Sequence, residues 1–350
     1  PPLAVPTANQ QQNTQDPPKV DVVFVLDTTG SMGGLIEGAK RKIWSIANQI
    51  LAGQPRPHVR IGLIGYRDKG DAYLTRRFDL TENVDEIYLH LRRFEAAGGG
   101  DHPEHVNLAL YEAINGMRWR QGNKVLRQIY LVGDAPPHEG RDGLYSEKLA
   151  KDAQRQDIVI NAVRCGANGP TEKRWKVIAQ LAGGMYASIR QDGGMVAIST
   201  PMDKRLEELN RRLTATLLPS GSLGARRAAH RRAVGNAAMA PMAQAESAAY
   251  RARSGRLDSA DLLTRIARGK KLGAFKESEL PKALAAMPAP KRAAYVQKIR
   301  AQRKALGGAI DKLDKKRRSY IAAKKPKTKG FDDSITKALK KQGKKAGLAY

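Results

Sequence analysis

The sequence predicts an α/β fold: a doubly wound, mostly parallel six-stranded sheet that carries a basic, partly disordered α-helical C-terminal tail. Three observations predict it. Short Val/Ile/Leu-rich runs alternate with stretches of helical periodicity from residue 20 to 218, as right-handed strand–helix–strand crossovers require. The run over residues 20–26 is too uniform for a half-exposed strand, which marks it as central and buried on both faces. Charge is uneven: residues 1–220 carry 29 Lys and Arg against 25 Asp and Glu, whereas residues 221–350 carry 33 against 9. Most of the formal net charge of +28 therefore belongs to the tail.

Residues 20–26 form a central parallel strand. Residues 35–51 repeat Leu35, Ile36, Ala39, Ile43, Ile46, Ala47 and Ile50 at helical spacing, and Gly53 and Pro55 end that helix. Residues 59–66 are a second strand. Residues 73–80 are a third, more polar and so at an edge, joined to the second by a short Asp-Lys-Gly-Asp turn as the one antiparallel hairpin. Helix follows over 84–94, with Val84, Ile87, Leu91 and Phe94 on one face, and again over 105–117 after a glycine break. Residues 125–132 are the fourth strand, ending at Gly133-Asp134; 144–155 is helical; 158–163 is the fifth strand. A helix over 171–181 takes Thr171 as its N-cap. A short sixth strand over 185–189 precedes a closing helix over 202–218.

Three regions result: a disordered Pro/Gln-rich leader (1–18), a globular domain (19–219) and a basic Ala/Lys/Arg-rich tail (220–350), partly helical. Within the tail, residues 221–258 read as mostly disordered, with helix near 244–253. Short helices are expected over 259–268 and 277–287. Residues 291–323 place Val296, Ile299, Leu306, Ile310, Leu313 and Tyr320 on a three-and-four spacing that Arg303 and Arg317 interrupt. No apolar run approaches the roughly 20 residues of a membrane-spanning helix, so no transmembrane segment is expected. The single cysteine, Cys165, excludes an intrachain disulfide and reads as a buried, inert thiol. A polar leader of this kind often follows a removed signal peptide. An extracytoplasmic location, periplasmic or secreted, is therefore favoured over a cytoplasmic one.

The chemistry concentrates where strands end. Asp27-Thr28-Thr29-Gly30-Ser31 follows the first strand and lays one carboxylate and two hydroxyls along a turn at the carboxyl edge of the sheet, where open α/β sheets bind ligands. A second loop, Gly98-Gly99-Gly100-Asp101-His102-Pro103-Glu104, precedes a helix, and Asp134 ends the fourth strand. Convergence of these loops gathers carboxylates that repel one another unless a cation lies between them. Oxygen-only ligands with hydroxyls select Mg²⁺, or Mn²⁺ or Ca²⁺, over zinc or copper. The alternative for the first loop is an ordinary helix cap.

Asp27-x-Thr29-x-Ser31 resembles the metal-ion-dependent adhesion site of von Willebrand factor type A domains, and the resemblance extends over about residues 19–218. It implies that Asp27, Thr29, Ser31 and Asp134 hold one divalent cation with an open position for a partner's oxygen. Asp101 stands where the family usually has threonine. The Gly98–Glu104 loop is similar to a subgroup whose A-type domain can accompany alpha-kinases. The added carboxylate of Asp101 implies firmer metal binding and less attraction for an acidic ligand.

Other chemistries find less support. His102, His105 and His138 lack the zincin order, and hydrogen bonding to a ligand's far side or plain solvation suits them better. Gly33–Lys40 lacks the Gly-Lys-Ser/Thr of a phosphate loop, and no nucleophile elbow occurs. The reading is thus a non-enzymatic, metal-dependent protein-binding module of the adhesion or scaffold type. Its tail (221–350) would attract an anionic surface, nucleic acid or an acidic protein. The alternative is a nucleic-acid or envelope-binding structural protein driven by the tail, in which the metal only stabilises the fold.

Overall fold

A computed structural model describes residues 17–100, 103–194, 198–324 and 330–350. Six strands, β1 (Lys19–Asp27), β2 (His58–Tyr66), β3 (Thr75–Thr81), β4 (Val125–Gly133), β5 (Ile158–Cys165) and β6 (Tyr186–Ile189), form one sheet in the order β3-β2-β1-β4-β5-β6. All pairings are parallel except β2–β3. The order reverses between β1 and its two neighbours, β2 and β4. The switch point therefore lies at the end of β1, where such sheets open a crevice for ligands.

The pleat sends alternate residues of β1 to opposite faces. Val20, Val22, Phe24 and Leu26 enter one core with α1 (Gly33–Leu51) and α2 (Val84–Arg92). Val23 and Val25 enter the other with α3 (Val106–Tyr111), α4 (Ser146–Arg155) and α5 (Gly169–Leu181). Each fully buried aliphatic side chain stabilises by about 1.5–3 kcal/mol. The cap of α5 is Asn168, whose side chain accepts the Thr171 amide, rather than Thr171 itself.

The basic C-terminal region is folded onto the sheet domain. Helices α7 (Leu223–Ala237) and α8 (Pro241–Ser254) fill the segment expected to be mostly disordered, and the helix expected near 244–253 lies within α8. Its alanines explain the difference. Ala243, Ala245, Ala248 and Ala249 are buried, and small side chains let α8 lie close against α1 and α6 (Asp203–Thr214) while giving little apolar periodicity to read. Trp44 of α1 meets Tyr250 edge-on, with ring centroids 5.6 Å apart. The predicted closing helix, α6, packs mainly against α8 and α11 (Ala289–Lys324). The place beside α1 is taken by α12 (Phe331–Gln342), from the end of the chain, whose Phe331 packs against Phe24 and Tyr130. Short helices α9 (Leu262–Ala267) and α10 (Lys282–Ala285) complete a satellite core with the first half of α11.

The interrupted seam of α11 has a local cause. Val296, Ile299, Leu306 and Ile310 are buried against the neighbouring helices, and the two arginines on that face are ion-paired. Arg303 meets Asp261, while Arg317 meets Asp203 and Glu246. Both pairings are internal to the chain. Among the described residues no helix is long and apolar enough to cross a membrane.

Candidate metal centre at the sheet edge

β1 ends on Asp27, and the next residue is pinned to β2: the Thr28 amide and hydroxyl both donate to the Tyr66 carbonyl, at 2.9 and 2.8 Å. The chain then turns. Asp27 Oδ1 accepts the Thr29 amide at 2.9 Å and the Thr29 hydroxyl at 2.6 Å. This is the side-chain-to-backbone bonding that an aspartate favours at a turn. The opposite oxygen, Asp27 Oδ2, is buried without a partner. Ser31 is exposed on the short 3₁₀ turn that leads into α1.

The glycine-rich loop is stitched beside this turn. The Gly30 amide donates to the Gly98 carbonyl at 3.0 Å, and Ala97 donates to Thr28. Arg67 crosses beneath, donating to the carbonyls of Thr28 and Glu95. At Gly99, φ is +73°, and a Cβ would lie 2.8 Å from Thr29 Cβ and 3.0 Å from Glu104 Oε1. Only glycine allows that approach. Asp101 and His102 lie outside the described residues. Beyond them, Glu104 is 2% exposed and tied by its backbone to Pro136 and His138. Its Oε2 is buried without a partner.

The third loop closes on the first through another glycine. A Cβ on Gly133 would fall 2.9 Å from Asp27 Cβ. Asp134, 8% exposed, has one oxygen held and one free: Oδ2 accepts Gln191 Nε2 at 2.6 Å, and Oδ1 is buried without a partner. Gln191 also donates to the Ser31 carbonyl at 3.3 Å, so one amide bridges the first and third loops. The Thr171 hydroxyl holds the Asp134 backbone carbonyl at 2.9 Å.

Three carboxylates thus share one region with an unsatisfied oxygen each. Burial, together with the Asp134 charge, pushes the Asp27 carboxyl up to about 7; the Thr29 hydrogen bonds oppose this. Burial pushes Glu104 up to about 9, reinforced by Asp27, Asp68, Asp71 and Asp134. A divalent cation would relieve both costs, so the residues present fit one. Among the described residues no three His, Cys, Asp or Glu side chains form a ready-made metal cage. A cation here would therefore also need the hydroxyls of Thr29 and Ser31, and water.

The histidines do other work. His138 Nε2 lies 3.0 Å from Asp68, and His105 stands against His138 and faces Asp142 at 3.7 Å. Cys165 is buried and its thiol is pushed well up by that burial. The sequence pattern passed over Glu104 as a candidate ligand, and Gln191, Thr171 and Arg67 as its supports. The Pro-Glu ending of the second loop was the one local signal for Glu104. The other three are joined to the site only by the fold.

The sequence profile of the von Willebrand factor A domain family matches residues 21–201. Among curated relatives, human von Willebrand factor A domain-containing protein 7 is 32% identical over 122 residues, 35% of this chain and 12% of that protein. Alpha-protein kinase vwkA of Dictyostelium discoideum is 30% identical over 121 residues, 34% of this chain and 19% of that protein. The matched segments thus span less than a fifth of these relatives' lengths. Among solved structures, BatB from Bacteroides thetaiotaomicron superposes with a TM-score of 0.38 at 17% identity, covering 49% of this chain and 90% of that one. The SpRpn10 VWA domain does so with a TM-score of 0.40 at 15% identity, covering 51% and 91%.

Proposed function

Because the chain belongs to the von Willebrand factor A domain family, whose members commonly mediate protein interactions, we propose that its sheet edge binds a protein partner through a divalent cation. One observation carries this: three buried carboxylate oxygens, Asp27 Oδ2, Glu104 Oε2 and Asp134 Oδ1, lack any partner. Buried acceptors left this way are costly and call for a partner, and three carboxylate oxygens together suit a cation. Asp27 and Asp134 would supply charge, Thr29 and Ser31 hydroxyl oxygens, and Asp101 a further carboxylate, directly or through water. Glu104 joins them as a sixth candidate. The cation, Mg²⁺ or else Mn²⁺ or Ca²⁺, would offer an open coordination position to an oxygen of the partner. Gln191 holds the second oxygen of Asp134 and thereby turns the first towards the ion, the role of an outer-shell partner.

We read the module as non-enzymatic. Ser31 would need a base to act as a nucleophile, and among the described residues no histidine is hydrogen-bonded to its hydroxyl. The Gly98–Glu104 loop and the similarity to an alpha-protein kinase support assignment to the subgroup with a Gly-Gly-Gly-Asp-x-Pro-Glu loop.

The test is calorimetry with a pull-down. Mg²⁺ or Mn²⁺ should bind the full chain at a single site, Asp27→Ala should abolish the heat, and partner capture should be lost in chelator at any salt concentration. Capture that survives chelator but disappears in high salt would instead favour binding through the basic helices.

A further inference from the structure

Several acids of the C-terminal region are buried in ion pairs, whereas many of its cations are exposed. Of the few carboxylates after residue 220, Glu246, Asp258, Asp261 and Asp314 are ion-paired with Arg317, Arg232, Arg303 and Arg253. Glu277 and Glu279 pair with Arg292 and Lys270. Arg251, Arg256, Arg268 and Arg317 pair with acids of the sheet domain, but 33 basic residues against 9 acidic ones still leave the region with a large excess of cations.

α11 shows this most clearly. It is 36 residues of continuous helix, about 54 Å long. Its inward stripe is Val296, Ile299, Leu306, Ile310, Asp314 and Arg317. The opposite half carries Lys298, Arg300, Lys304, Lys312, Lys315 and Lys316, all exposed. Among the described residues none of these six makes an ion pair, and the one acid on that side is the half-buried Asp311. Between the cations lie Ala301, Ala305, Gly308 and Ala309, also exposed. None of the exposed large hydrophobic side chains belongs to α11.

We propose that the outward face of α11 binds double-stranded nucleic acid through its phosphates, without reading sequence. This goes beyond the metal-dependent reading and does not rest on it. A straight rod of cations spaced along about 27 Å faces a charge array of matching shape, since a duplex carries one negative charge per ~1.7 Å of axis. Small residues between the cations let the backbone of the duplex approach closely. A helix that lay on a membrane would present large apolar side chains, which this face lacks. A single-strand binder would present aromatic platforms, whereas Tyr295 and Tyr320 are half-buried.

The test uses the full chain with fluorescein-labelled 20-base-pair DNA duplexes of two unrelated sequences, read by anisotropy. Both duplexes should bind alike. The affinity should fall by roughly two to three orders of magnitude from 50 to 200 mM salt, as expected for four to five phosphate contacts. EDTA should change nothing, which separates this outcome from failure of the metal proposal. Reversing Lys304, Lys312, Lys315 and Lys316 to Glu should abolish binding with the melting midpoint retained. Lys151→Glu with Lys173→Glu, on the opposite layer, should leave it intact. Should the reversed variant melt early, Gln at the same four positions serves the same purpose. No binding at 50 mM salt, wild-type binding by the α11 variants, or tighter binding to phosphatidylserine vesicles or polyglutamate would overturn the proposal.

Discussion

Asp27 and Glu104 give the metal-free chain a pH dependence of definite sign. Their carboxyls, lifted to about 7 and about 9, hold protons in the folded state that unfolded carboxyls release near pH 4. Stability therefore falls as pH rises, from about 4 towards 7 through Asp27 and towards 9 through Glu104. Thermal melts in EDTA should show a midpoint that declines between pH 5 and 9, and saturating Mg²⁺ should remove the decline. Glu104→Gln should flatten its upper part; a flat profile for the unmodified chain in EDTA would count against the burial of these acids beside one another. Gln191→Ala should weaken Mg²⁺ binding about 10- to 100-fold, because Asp134 loses the bond that orients it; unchanged calorimetric affinity would remove Gln191 from the site. The two roles differ in how they can be read from sequence. Asp27, Thr29, Ser31 and Asp134 stand at strand ends in a spaced pattern, which is local information. Gln191 reaches Asp134 across 57 positions of chain, and no spacing encodes that.

At the scale of elements, strands were legible because burial on both faces leaves largely apolar runs, as in β1 and β4, where Asp21, Arg127 and Gln128 are the interior exceptions. α7 and α8 were not. Their buried faces are built from alanine and from polar groups hydrogen-bonded inside the protein, so the sequence resembles a solvated tail. The clearest such group is Arg251, which donates to both oxygens of Asp85 at 2.9 and 2.8 Å, with Asn210 and Asn236 beside it. Both partners of this ion pair are buried. Arg251→Ala strands a buried carboxylate and should cost about 3–5 kcal/mol in denaturant unfolding. A loss below about 1 kcal/mol, the range of an exposed pair, would mean that α8 is not anchored to α2 in this way.

Over the whole molecule, the division at residue 219 read from composition does not coincide with a break in packing. Phe331, Ile335, Leu339 and Leu348 share a core with β1 and α1, and the Tyr350 hydroxyl donates to the Ile50 carbonyl at 2.9 Å. A chain ended at residue 219 should accordingly melt well below the full chain or aggregate, as calorimetry would show; equal midpoints would mark the sheet domain as independent. The charge asymmetry was visible in composition, whereas its confinement to outward faces required the ion pairs to be located. The most direct measurement is an anomalous difference map from crystals of the full chain grown with Mn²⁺. A single peak bounded by Asp27, Ser31 and Asp134 is predicted. A map with no peak there, at a manganese concentration that saturates any solution binding, would contradict it.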